Sequence, residues 1–236
     1  MLPSPVRRIL TKRVQEAVEG VFNLYAKGIL ADEDHVTGAL VYSLAEKLDG
    51  LQVGDVRVRA FTFSRGQEAR TGADLGVALS ADLRGVKLTK YMLMQAKRCE
   101  CLPGKNYELS DGNIEGKLLD QCRKMLSVAR SSYVLVYTRS ELCGFLAYRA
   151  ADVLGFDGAS DARGSVGSIS CAKLSSLWAI PLPELFDDLL KCKMGDVMLD
   201  KPFFREEELS NLPLILEERG YSARRWVAIS VRESKE

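Results

Sequence analysis

A single histidine, His35, stands among 236 residues. That scarcity excludes His-rich metal centres and weakens any His-based catalytic triad, so catalysis in this chain must rest on carboxylates and lysine. His35 neighbours an acidic cluster at an expected helix start, where it reads as a capping or surface residue rather than a base. An excess of one charge is lacking as well. Thirty-three basic and 32 acidic residues leave a net charge of +1, so no global field draws the chain to nucleic acid or to an anionic membrane. No apolar stretch reaches the ~18 residues of a membrane-spanning helix and no signal peptide is recognisable, from which a cytoplasmic location without membrane contact is expected. The six cysteines, Cys99, Cys101, Cys122, Cys143, Cys171 and Cys192, include no C-x-x-C pair and no histidine at zinc spacing. They are expected to be reduced and mostly buried, without disulfides.

What is present is ordinary for a soluble mixed α/β protein: 47% hydrophobic residues, 28% charged residues and seven prolines. A chain of this length can bury roughly 70 to 75% of its unfolded surface, enough for one core, so a single domain over residues 1–236 is expected. With no global field, any nucleic-acid contact must come from local basic patches. Candidates are Arg7, Arg8, Lys12 and Arg13, then Lys87, Lys90, Lys97 and Arg98, then Arg224 and Arg225.

Apolar residues at helical spacing predict a helix over Arg7 to Ala26, ended by Gly28, and a second over about Asp32 to Leu48, with acids in its first turn. From Val53 to Ser64 the pattern turns to alternation and predicts a strand. Asp74 to Ser80 and Val86 to Lys97 flank a turn over Ala81 to Gly85, which predicts an antiparallel hairpin. A helix near Ile114 to Ser127 then feeds a strand at Tyr133 to Tyr137. Gly155 to Ser170 reads as a surface loop, Leu182 to Lys191 and Glu206 to Glu218 as helices, and Arg225 to Val231 as a terminal strand. The order helix, helix, strand, strand, strand, helix, strand implies a mixed sheet covered by helices.

The chemistry concentrates at the hairpin. Gly72-Ala73-Asp74 opens one strand and Gln95-Ala96-Lys97 ends the next, 21 residues from acid to amide. Side chains alternate along a strand, so Gln95 and Lys97 share a face while Ala96 points into the core behind. Hydrolysing a phosphodiester requires a cation against the phosphate, an activated water and groups that fix both. Asp74 would supply the principal carboxylate and Gln95 its amide oxygen, and magnesium suits such oxygen donors. A second acid would help, and Glu33 at the start of the second helix is the choice, with Asp32, Asp34 and Glu46 as alternatives. Lys97 would contact the attacking water or the phosphate, as base or as clamp.

Glu33, Gly72-Ala73-Asp74 and Gln95-Ala96-Lys97 together resemble the PD-(D/E)xK, or restriction-endonuclease-like, nucleases, in particular the Mrr-like branch in which glutamine replaces the second acid. The resemblance covers about Asp32 to Thr138. It implies an αβββαβ core over about residues 30–140, with residues 141–236 as a C-terminal α/β extension. It also implies Glu33, Asp74, Gln95 and Lys97 as catalytic residues, Mg2+ or Mn2+ as cofactor held by Asp74, Gln95 and Glu33, and DNA as substrate. The segment from Gln95 through Tyr107 and Gln121 to Tyr133-Val134-Leu135-Val136-Tyr137 is further similar to small bacterial nuclease-like proteins linked to phage defence. Tyr107 and Gln121 would then line the site, with Lys90 and Arg98 as further nucleic-acid contacts and a second copy or a defence-system protein as partner. The chain departs from the stricter pattern in Ala73, where proline precedes the acid, and in Gln95.

Two other readings are weighed against this one. Fold does not fix function, so the same scaffold could bind nucleic acid or a protein without cutting. Alternatively, Trp178, Phe186, Phe203, Phe204 and Trp226 could form an assembly surface, although core packing accounts for such aromatics with fewer assumptions.

Overall fold

The computed structural model describes residues 2–64, 71–83, 86–99, 113–114, 117–139, 144–156, 169–170, 174–198, 215–216, 218 and 220–233. Helix α1 (Ser4–Ala26) tolerates Pro5 in its first turn, where the missing N–H has no intrahelical partner to lose. Val6, Leu10, Val14, Ala17, Val21 and Tyr25 form its buried stripe. Helix α2 (Glu33–Leu48) is capped by Asp32, whose carboxylate accepts from His35 N at 2.8 Å, and buries Val36, Leu40, Leu44 and Leu48. His35 is exposed, and its Nδ1 lies 3.0 Å from Asp32 Oδ2, so it belongs to the cap.

After β1 (Gln52–Val53) come three long strands: β2 (Val56–Ser64), β3 (Ala73–Leu83) and β4 (Val86–Cys99). The short β5 (Asn113–Ile114) precedes α3 (Leu118–Val128), which crosses to β6 (Ser132–Thr138). Then follow β7 (Phe145–Arg149), α4 (Ala150–Phe156), β8 (Ile169–Ser170), β9 (Ile180–Pro181), α5 (Leu182–Leu190), β10 (Asp196–Met198) and β11 (Ala223–Glu233). The main sheet runs β1-β2-β11-β3-β4-β6-β7-β9, with β10 beside the first half of β4. Strands β3 and β4 pair antiparallel from Leu75↔Met94 to Leu83↔Val86, and β4 and β6 pair parallel from Leu93↔Ser132 to Cys99↔Thr138. This is a mixed sheet flanked by helices, as the element order implies.

Side-chain alternation divides the core between the two faces. Leu75, Val77, Met92, Met94, Ala96, Val227 and Ile229 pack with α1, α2 and α5, while Leu93, Val134, Val136, Trp226 and Ala228 pack with α3 and α4. Among the described residues no helix is long and apolar enough to cross a membrane.

Two expectations need correction. The terminal strand is not part of an appended extension: β11 lies in the middle of the sheet, antiparallel to β2 and parallel to β3. Trp226 to Val231 are all buried, as expected of a strand covered on both faces, and the near-continuous apolar run in Trp226-Val227-Ala228-Ile229 is the signal that marks it. The second concerns cysteine. Cys99 is disulfide-bonded, with its partner outside the described residues, whereas Cys122 and Cys192 are free.

Candidate active site

The site forms where β3 and β4 part. Their ladder ends at Leu75↔Met94, so the next N–H on that edge of β4, Ala96 N, lacks a β3 carbonyl opposite it. Asp74 supplies the acceptor instead: Ala96 N donates to Asp74 Oδ2 at 3.0 Å, and Gln95 Nε2 donates to the same oxygen. Gln95 Nε2 also donates to Ala96 O at 3.2 Å. Gln95 is 1% exposed, and its carbonyl Oε1 has no hydrogen-bond partner. Leaving such a buried acceptor unsatisfied costs about 1–3 kcal/mol.

Burial pushes the Asp74 carboxyl above the usual carboxylate range, against the Ala96 N–H and the field of Lys97, both of which favour the anion. The stability this group contributes is therefore present below its unfolded value of 3.8 and is lost as pH rises through the higher folded value. Asp74→Asn removes that loss. The metal-free Asp74→Asn protein is expected to gain stability relative to wild type as pH rises above about 4 and then to hold the gain. Denaturant melts of the two proteins across that range check this, and a pH-independent difference would contradict it.

Helix α2 meets the hairpin from the other side. Lys97, 5% exposed, places Nζ 3.6 Å from Glu33 Oε1. Of the four acids considered on this helix, Asp32 is the cap, Asp34 pairs with Arg224 and Arg225, and Glu46 is exposed, so Glu33 is the one joined to Lys97. The helix start is fixed by Thr37, whose Oγ1 donates to Glu33 O at 2.8 Å and lies 2.9 Å from Tyr137 Oη of β6. Burial pushes the Tyr137 phenol up, so it remains a neutral hydrogen-bonding group. Arg98 Nη1 donates to Ala31 O at 2.7 Å and ties β4 to the loop before α2.

Gly72 introduces β3 with φ at +72°, a conformation that L side chains rarely adopt. A Cβ there would also stand 3.0 Å from Gln121 Cγ on α3. The close approach brings Gln121 against the start of the Asp74 strand, and Gln121 Oε1 is a second buried acceptor without a hydrogen-bond partner.

No family model, no curated protein and no solved structure matches the chain. Its chemistry must be read from its own geometry.

The structure joins Asp74 to Gln95 and Glu33 to Lys97, and places Gln121 next to the Gly72 turn. It does not support Lys90 as a nucleic-acid contact. Lys90 is 5% exposed, and its Nζ donates to Cys192 O and Met194 O, each at 2.8 Å. Those carbonyls follow α5, so the lysine satisfies the backbone at a helix C-terminus, a use of charge that composition cannot separate from a surface patch. Tyr107 lies outside the described residues, as do Phe203 and Phe204. Of the other aromatics proposed as a surface, Phe186 and Trp226 are core residues and Trp178 is 81% exposed.

Sequence reasoning missed Thr37 and Tyr137, and it saw Arg224 and Arg225 merely as a basic pair. Among the described residues no group of three His, Cys, Asp or Glu side chains is arranged to hold a metal ion. The oxygen donors here are of mixed type: the Asp74 carboxylate, the Gln95 carbonyl and, beside Lys97, the Glu33 carboxylate.

Proposed function

We propose that this chain is a metal-dependent phosphodiesterase, a nuclease of the restriction-endonuclease-like type acting on DNA. The observation that carries the reading is the half-buried Asp74 bonded to the buried Gln95, with Gln95 Oε1 left over, two residues from a buried lysine on the same strand. An orphaned carbonyl oxygen beside a desolvated carboxyl fits a hard cation, because both groups would gain from one. The order α2-β2-β3-β4-α3-β6 of the longer elements, with an antiparallel β3/β4 pair and a parallel β4/β6 pair, supports the αβββαβ core, into which β11 is set between β2 and β3.

Asp74, Gln95 and Glu33 would hold magnesium or manganese, which would neutralise phosphate charge and make a water acidic enough to attack near neutral pH. Asp74 is held by Ala96 N and Gln95 Nε2, so its carboxyl is oriented before substrate arrives. Lys97 Nζ, 3.6 Å from Glu33 Oε1, would donate a hydrogen bond to a phosphate oxygen as negative charge develops there. Burial of Gln95 and Lys97 limits bulk water around them, which strengthens their interactions.

A protein that binds nucleic acid without cutting it is the second reading, supported by a donor set in which Asp74, half-buried, is the principal carboxylate. Incubation with linear and circular DNA in magnesium or manganese separates the two. Nicked or shortened products, abolished by EDTA, are expected; bound but intact DNA at every metal and substrate would favour the second reading.

A further inference from the structure

The terminal strand brings a cation to the rim of this site. In the parallel β11/β3 register, Ala223 is partnered with Ala73 and Arg225 with Leu75, which sets Arg224 level with Asp74. The two arginines share Asp34 unequally. Arg225 grips it as a fork, Nη1 to Oδ1 at 2.6 Å and Nη2 to Oδ2 at 2.8 Å, with its side chain 19% exposed. Arg224 reaches the same Oδ1 with Nη1 at 2.8 Å, and its side chain is 51% exposed.

One carboxylate cannot neutralise two guanidinium groups. The fork satisfies both Asp34 oxygens, so Arg224 can leave Oδ1 without orphaning a buried charge. Its charge also acts on Asp74 across the strand pair. We propose that Arg224 is a substrate-binding residue of the nuclease site, taking a non-bridging oxygen of the phosphodiester beside Asp74 while Arg225 keeps Asp34 and the start of α2 in place. The inference rests on the nuclease reading above and names what holds its anionic substrate. Arginine suits this role because its planar fork matches two phosphate oxygens and stays protonated at any working pH.

The test is steady-state cleavage of a fluorescein-labelled DNA duplex in magnesium by wild type, Arg224→Ala and Arg224→Lys, with thermal melts of each. Arg224→Ala is expected to raise KM roughly 10- to 100-fold with a smaller change in kcat, and to leave the melting temperature unchanged. The dependence of log KM on log salt should become shallower by about 0.9, one phosphate contact. Arg224→Lys should recover part of the loss. Wild-type KM and salt dependence in Arg224→Ala would overturn the assignment while leaving the nuclease reading intact. A lowered melting temperature with kcat lost and KM unchanged would overturn it too, as a structural role. Wild-type protein that cleaves no duplex would remove the nuclease reading and this inference together.

Discussion

Lys97→Ala and Lys97→Met are each expected to reduce metal-dependent DNA cleavage by roughly 100- to 10,000-fold. The size follows from placement: Lys97 is 5% exposed, lies 3.6 Å from Glu33 and shares a strand face with Gln95, whose amide is bonded to Asp74. A charged donor in such a water-poor setting has no solvent substitute when removed. Methionine keeps the buried stem and deletes only the ammonium, so Lys97→Met should retain near-wild-type stability. Asp74→Ala should be at least as severe, since the same carboxyl receives Ala96 N and Gln95 Nε2. Circular dichroism melts beside a gel assay check both expectations. Undiminished cutting by the two Lys97 variants would remove the lysine from the chemistry.

The second large effect is on stability. Gly76→Val is expected to cost about 3 kcal/mol or more and to lower the melting temperature by roughly 6 to 12 °C. Trp226 of β11 is registered beside Gly76, and a Cβ there would lie 2.5 Å from the indole atoms Cδ2 and Cε3. The indole cannot step aside easily, because Phe63 of β2 stacks on it at 6.0 Å with an interplanar angle of 17°. Trp226 is 2% exposed, and the row Phe63, Trp226, Gly76 spans three adjacent strands. Shrinking the indole should relieve the clash, so Gly76→Val with Trp226→Leu should cost less than the sum of the two single changes. Strict additivity in a thermal or denaturant cycle would show that the two residues do not compete for the same space.

The sequence made the local elements legible where periodicity was strong. The stripe Val36, Leu40, Leu44 and Leu48 is the buried face of α2, and Asp32 at its head is the cap. The hairpin with Asp74 and Gln95 at its open end follows from two strand patterns flanking a short turn, and Ala96 does pack into the core behind. What the sequence hid was long-range. The apolar run Trp226 to Ile229 marks a strand covered on both faces, but nothing local says that its neighbours are β2 and β3, because pairing partners are chosen by tertiary packing rather than by propensity. For the same reason four neighbouring acids could not be ranked by spacing alone: whether Asp34 or Glu33 meets Lys97 depends on arginines delivered some 190 residues later, at |i−j| of 191. Lys90 shows the opposite failure. A lysine beside other basic residues reads as solvated surface, and only the positions of the Cys192 and Met194 carbonyls give it a buried role.

Everything proposed for the site requires that Asp74 and the spare oxygen of Gln95 receive a divalent ion. Manganese titration followed by electron paramagnetic resonance measures that directly, before any cleavage. Wild-type protein is expected to bind one manganese ion that magnesium displaces, with binding lost in Asp74→Asn and weakened in Gln95→Ala. No bound manganese at millimolar metal, or equal binding by wild type and Asp74→Asn, would contradict the account.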